Sequence, residues 1–143
     1  MKAETESIDI ARFGRDHGAR FRILTGNWGA EYPYFREDGA HGLIPAPNFV
    51  PEQAAIHHAT DPRTPNFARA IKLYARIFPL MQFIRERPGV EEQLLLGKHM
   101  LAQRLNLASC LGRLPGPQIV DASLLSHAER LASAVWPRDT VTG

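Results

Sequence analysis

The chain is poor in several things at once. Its 143 residues include one cysteine, Cys110, so no disulfide can form within the chain and a reducing compartment is expected. Lysine occurs only at Lys2, Lys72 and Lys98, and the arginines are scattered from Arg12 to Arg138 without forming a stripe. With a net charge of +2, that scatter argues against nucleic acid as a partner despite a pI near 9.0. No apolar run approaches the ~20 residues that cross a bilayer. The start, MKAETESIDI, has no apolar signal core. A soluble, cytoplasmic protein with no membrane partner is therefore expected. Histidines show no ligand spacing: His57 and His58 are adjacent on an expected helix and point apart, so no metal site is expected, nor any other cofactor.

What is present is a globular mixture, 44% hydrophobic and 22% charged, long enough for one sizeable core. Glycine and proline divide it. Residues 7–18 predict a short helix capped by Ser7 and ended by Gly18. Residues 21–26, FRILTG, predict a strand, EYPYFRED a turn of helix, and 41–44, HGLI, a second strand. Strand, helix, strand implies parallel pairing. The second strand is short, because Pro45, Pro47 and Pro51 lack the amide hydrogens that a central strand needs.

Beyond it the pattern is helical. Pro51 opens a helix over 50–60, and DPRTP breaks it. From Asn66 to Arg87 apolar residues recur at helical spacing, with Pro79 expected to kink or split that helix. A helix over 91–107 is expected to turn Leu94, Leu101 and Leu105 to one side. Residues 112–119 predict a proline-stiffened crossing. The last helix, 121–135, aligns Leu124, Ala128, Leu131 and Val135, and the tail after Trp136 is expected to fray. Two parallel strands do not make a stable sheet alone, so the strand portion reads as part of something larger.

The order of FRILTGNWGAEYPYFREDGAHGLIPAPNFVPEQ, a helix carrying IFPLM, then GKHMLAQRLNL and GRLPGP resembles the C-terminal half of the dihydrodipicolinate synthase and N-acetylneuraminate lyase family. The resemblance runs from about Lys2 to Val135. It implies an α/β fold: the last strands, seven and eight, of a (β/α)8 TIM barrel followed by a C-terminal helical domain, mostly helical as an isolated chain. Residues 1–59 would be the barrel segment, from the end of strand six to helix eight, and residues 60–143 the helical domain.

The resemblance also implies chemistry. Family members are class I aldolases, in which a lysine amine forms a Schiff base with pyruvate or another 2-keto acid. MKAE matches the lysine-bearing segment, which makes Lys2 the catalytic candidate and Glu4 its accompanying acid. Gly26, Trp28 and Ile44 match substrate-lining positions, and Asn48 matches the residue shaping the following loop. Trp28 and Gly29 stand where sugar-acid members offer acidic side chains, so the turn would stack or exclude. The match starts where the chain starts, so strands one to five are expected to be missing, and Lys2, with only Met1 ahead of it, is expected to lie outside a strand. Two readings stay open. One is a truncated Schiff-base lyase, inactive unless another chain completes it. The other is a non-catalytic helical fragment that forms homo-oligomers or binds a partner.

Overall fold

The computed structural model describes residues 2–3, 7–29, 31–63, 65–107 and 120–136. Glu4, Cys110, the 112–119 crossing and the tail after Trp136 lie outside the described residues. The chain divides into two compact units, residues 1–75 and 76–143.

The first unit is built on a parallel sheet of three two-residue strands, β1 (Lys2–Ala3), β2 (Leu24–Thr25) and β3 (Gly42–Leu43), in that order. Between β1 and β2 lies helix α1 (Ser7–His17), and between β2 and β3 helix α2 (Tyr32–Glu37). The expected strand–helix–strand unit and its parallel pairing are both present. The strands are shorter than 21–26 and 41–44, because Gly26 leads into a turn and Pro45 removes the next donor. Hydrogen bonds extend the ladder slightly: the Ile23 carbonyl accepts from the His41 and Gly42 amides at 2.9 and 3.3 Å, and the Thr25 carbonyl from Ile44 at 2.8 Å.

Period-two alternation sorts the sheet into two faces. Ile23 and Thr25 are buried, whereas Leu24 and Ile44 are 36% and 40% exposed. The first pair lies on the covered face, with Tyr32, Phe35, Phe49 and Ile56 also in the core, and the second pair on the open face. Helix α1 packs closely on the end of α2 through Gly14: a Cβ there would lie 2.2 Å from the carbonyl oxygen of Asp38, just past α2.

After β3, a 3-10 turn (Pro47–Phe49) leads into α3 (Val50–Ala59), with a proline in the first turn of each. Helix α4 (Phe67–Arg85) follows, and the division between units falls within it. Pro79 does not split α4: the helix runs through it, with Pro79 on its exposed side.

The second unit adds α5 (Val90–Arg104) and α6 (Ala122–Val135). Gln93 ties α5 back to the end of α4, donating to the Arg85 and Arg87 carbonyls at 3.0 Å each. Phe83 of α4 meets His127 of α6 with ring centres 4.5 Å apart. The Asp121 carboxylate caps α6, accepting from the Ser123 amide at 2.8 Å. Ala128 and Val135 are buried as expected, together with Ala132, while Leu124 and Leu131 are half-buried.

One face differs from expectation. Leu94 and Leu105 are 52% and 57% exposed, while Leu95, Leu96 and Met100 are buried. Three consecutive leucines, 94–96, satisfy more than one helical stripe, and packing chose the stripe through Leu96 and Met100. Accordingly, Leu96→Ala should destabilise the chain by about 2–5 kcal/mol in urea unfolding. Leu94→Ala should stay within about 0.5 kcal/mol of the parent. Equal effects would contradict this packing.

Candidate functional site

Because all three strands are parallel, their C-terminal ends share one edge of the sheet, and the loops that leave β2 and β3 start from that edge. Lys2 pairs with Leu24, which in turn pairs with Gly42, and Ala3, Thr25 and Leu43 form the next row. This corrects the expectation that nothing holds Lys2: its backbone belongs to a ladder. Parallel pairing with β2 supplies what the upstream sequence could not show. Gly26 and Ile44 each lie one residue beyond the Ala3, Thr25 and Leu43 row. The structure therefore brings Lys2, Gly26, Trp28 and Ile44 to one end of the sheet.

The turn Asn27–Gly29 has an unusual backbone. Its first bond is ordinary, from the Gly29 amide to the Gly26 carbonyl at 2.9 Å. Trp28, however, sits at φ 61 and ψ 8, in the left-handed region, which costs a non-glycine residue about 1–3 kcal/mol. Buried Gln53 of α3 donates its Nε2 hydrogen to the Trp28 carbonyl and accepts the Ala46 amide at Oε1, 2.9 Å away. The neighbouring Asn48 is buried in the 3-10 turn as the loop enters α3.

A cleft of about 270 Å³ lies elsewhere, between β3 and α3, lined by His41, Gly42, Leu43, Pro45, Val50, Gln53, Ala54 and His57. None of Gly26, Trp28 and Ile44 lines it. Gln53 links the cleft and the strand-end cluster, because it lines the cleft and donates to the Trp28 carbonyl. The cleft has defined imidazoles. The Ile23 amide donates to His41 Nδ1 at 3.2 Å, so neutral His41 carries its proton on Nε2. His57 Nδ1 lies 2.5 Å from the hydroxyl of buried Tyr32. Burial, followed by the positive charges of Arg22 and Arg36, holds His41 below its ordinary pKa. His57 is lowered by burial, then by Arg36 and His58. Burial raises the Tyr32 phenol, against the opposing pull of Arg36 and a Thr60 hydrogen bond.

Sequence reasoning missed Gln53, His41 and the Tyr32–His57 pair. One signal was available: Val50, Gln53, Ala54 and His57 follow helical spacing and mix two polar residues into one stripe. His57 and His58 do sit side by side on α3, and among the described residues no group of three or more histidine, cysteine or acidic residues is placed to hold a metal. Among those residues, no helix is long and apolar enough to cross a membrane.

Among solved structures, the crystal structure of dihydrodipicolinate synthase from Rhodopseudomonas palustris matches with a TM-score of 0.74 over 93% of this chain, at 23% identity. The fold is that of part of a dihydrodipicolinate synthase. The chain spans 45% of the length of that synthase, in keeping with a C-terminal portion. At this identity the likeness is one of fold. No protein-family model matches the chain, and no curated protein matches it.

The two depressed imidazoles make a pH prediction. A folded pKa below the ordinary 6.5 contributes stability that is present above that value and is lost as pH falls through the folded value. Urea midpoints should therefore drop between about pH 7 and pH 5. The His41→Gln/His57→Gln double variant should show a flatter profile. An unchanged slope in the double variant would refute this origin.

Proposed function

We propose that this chain supplies the lysine-bearing part of a class I aldolase site acting on pyruvate or another 2-keto acid. The observation that carries the reading is the register of Lys2, paired beside the strand that leads to Gly26, which itself pairs with the strand that leads to Ile44. In this reading β1 is the end of barrel strand six, β2 and β3 are strands seven and eight, residues 1–59 are the barrel segment and residues 60–143 the helical domain.

The neutral Lys2 amine attacks the ketone carbon and the adduct loses water to give a protonated Schiff base. That cation accepts the electron pair when a neighbouring carbon–carbon bond breaks, or when a proton is lost from the adjacent carbon, leaving an enamine; in a dehydration the enamine then expels the oxygen leaving group together with its bonding pair. Protonation and hydrolysis then return the lysine. Gly26, Trp28 and Ile44 line the pocket, and Trp28 favours a small keto acid over a polyol because it offers a ring where hydroxyls would need carboxylates.

A solvated ammonium has a pKa near about 10.4 and does not attack carbonyls at neutral pH. The open face carrying Leu24 and Ile44 must therefore be covered before Lys2 can react. The cover would come from the rest of a barrel, whether on the same polypeptide or another, so the chain alone is inactive.

A second observation favours the non-catalytic reading. In the second unit Val90, Leu94, Leu105 and Leu107 are 63%, 52%, 57% and 59% exposed, an apolar set suited to self-association or a partner helix.

Borohydride trapping with pyruvate separates the two. Peptide mass spectrometry should find Lys2 unmodified in the chain alone. The adduct should appear on Lys2 when the chain is co-purified with the N-terminal half of the Rhodopseudomonas palustris synthase. A co-purified complex with no adduct would overturn the enzyme reading and leave the oligomerisation reading standing.

A further inference from the structure

We propose that Gln53 is a positioning residue that locks the 26–29 turn to the loop following β3, so that both sides of the strand-end cluster hold one geometry. The significance of that lock rests on the reading of these loops as a pocket rim, but its geometry does not.

Gln53 is 2% exposed and uses both ends of its carboxamide. Oε1 accepts the Ala46 amide at 2.9 Å, and Nε2 donates to the Trp28 carbonyl. An ionised carboxylate cannot donate, and a lysine or arginine cannot accept, so the amide is the charge-free group of this length that serves both partners. Two features show that the lock acts on a turn needing restraint. Trp28 is held at φ 61, and Gly29 follows at φ 70. The turn also lies so close to α3 that a Cβ on Gly29 would stand 2.6 Å from Gln53 Nε2. Releasing the turn therefore leaves the Trp28 carbonyl without its donor and removes the restraint on its backbone.

The test uses the chain with Trp136→Phe, which leaves Trp28 as its sole tryptophan. Gln53→Met keeps the length and removes both hydrogen bonds. Ala46 amide exchange should quicken by roughly fivefold, as expected for a lost hydrogen bond, and acrylamide should quench Trp28 more readily. Gln53→Glu supplies the check that a merely structural role would not pass. Protonated, its carboxyl accepts and donates as the amide does; ionised, it loses the donor and sets a charge against the Trp28 carbonyl. Trp28 emission should match the Gln53 parent at acid pH and depart from it as the carboxyl ionises. Glu52 precedes this position and His41 and His57 line the same cleft, so the parent is measured at each pH as the reference.

The proposal is overturned if folded Gln53→Met leaves both readouts unchanged, or if Gln53→Glu tracks the parent throughout the pH range. Should Gln53→Met fail to fold, the acid and alkaline spectra of Gln53→Glu decide alone. Failure of keto-acid trapping would remove the pocket and leave these readouts as they are.

Discussion

The pairing of β2 with β3 is the contact on which the first unit depends. The Ile23 carbonyl takes the His41 and Gly42 amides and the Thr25 carbonyl takes Ile44, so two very short strands lie parallel. Parallel strands cannot be joined by a tight turn, which is why α2 intervenes and why its Tyr32 and Phe35 enter the core. The same pairing fixes which residues alternate inward. Ile23 and Thr25 become core, and Leu24 and Ile44 are left 36% and 40% exposed on the other face. Addition of β1 to the other side of β2 then sets Lys2 in the row of Leu24 and Gly42.

From that arrangement the functional reading follows by chemistry rather than by any single motif. Parallel strands deliver their loops to one edge, and the loops here are stiffened from different sources. Pro45, Pro47 and Pro51 restrict the chain after β3, while Gln53 restrains the strained turn after β2. A lysine amine at such an edge becomes a nucleophile only when water is excluded from it. The open face is thus both the place where catalysis is proposed and the reason it needs further structure.

The second unit follows a different rule. Its helices are held by side-chain contacts between neighbours: Phe83 against His127, Arg104 over the Trp136 ring at 4.8 Å, and Gln93 on the carbonyls that end α4. Which leucines are buried was decided by those neighbours. Leu94 and Leu96 have the same intrinsic hydrophobicity, and one is half-exposed while the other is fully buried.

Local signals were legible wherever one residue type suffices to dictate backbone geometry. Pro51 at the start of α3, Gly18 after α1 and the strand–helix–strand order in the first third could all be read from the chain, because capping, φ restriction and periodicity act within a few residues. The fold resemblance was legible in the same punctuation. Tertiary structure alone decided the rest: that Lys2 joins a ladder, that α4 continues through Pro79, that Leu96 and not Leu94 is core, and that Gln53 reaches Trp28 across 25 positions. The ladder, the burial of Leu96 and the Gln53 bond depend on partners distant in sequence, and spacing along one chain does not encode which distant group will be there to accept a hydrogen bond or fill a space.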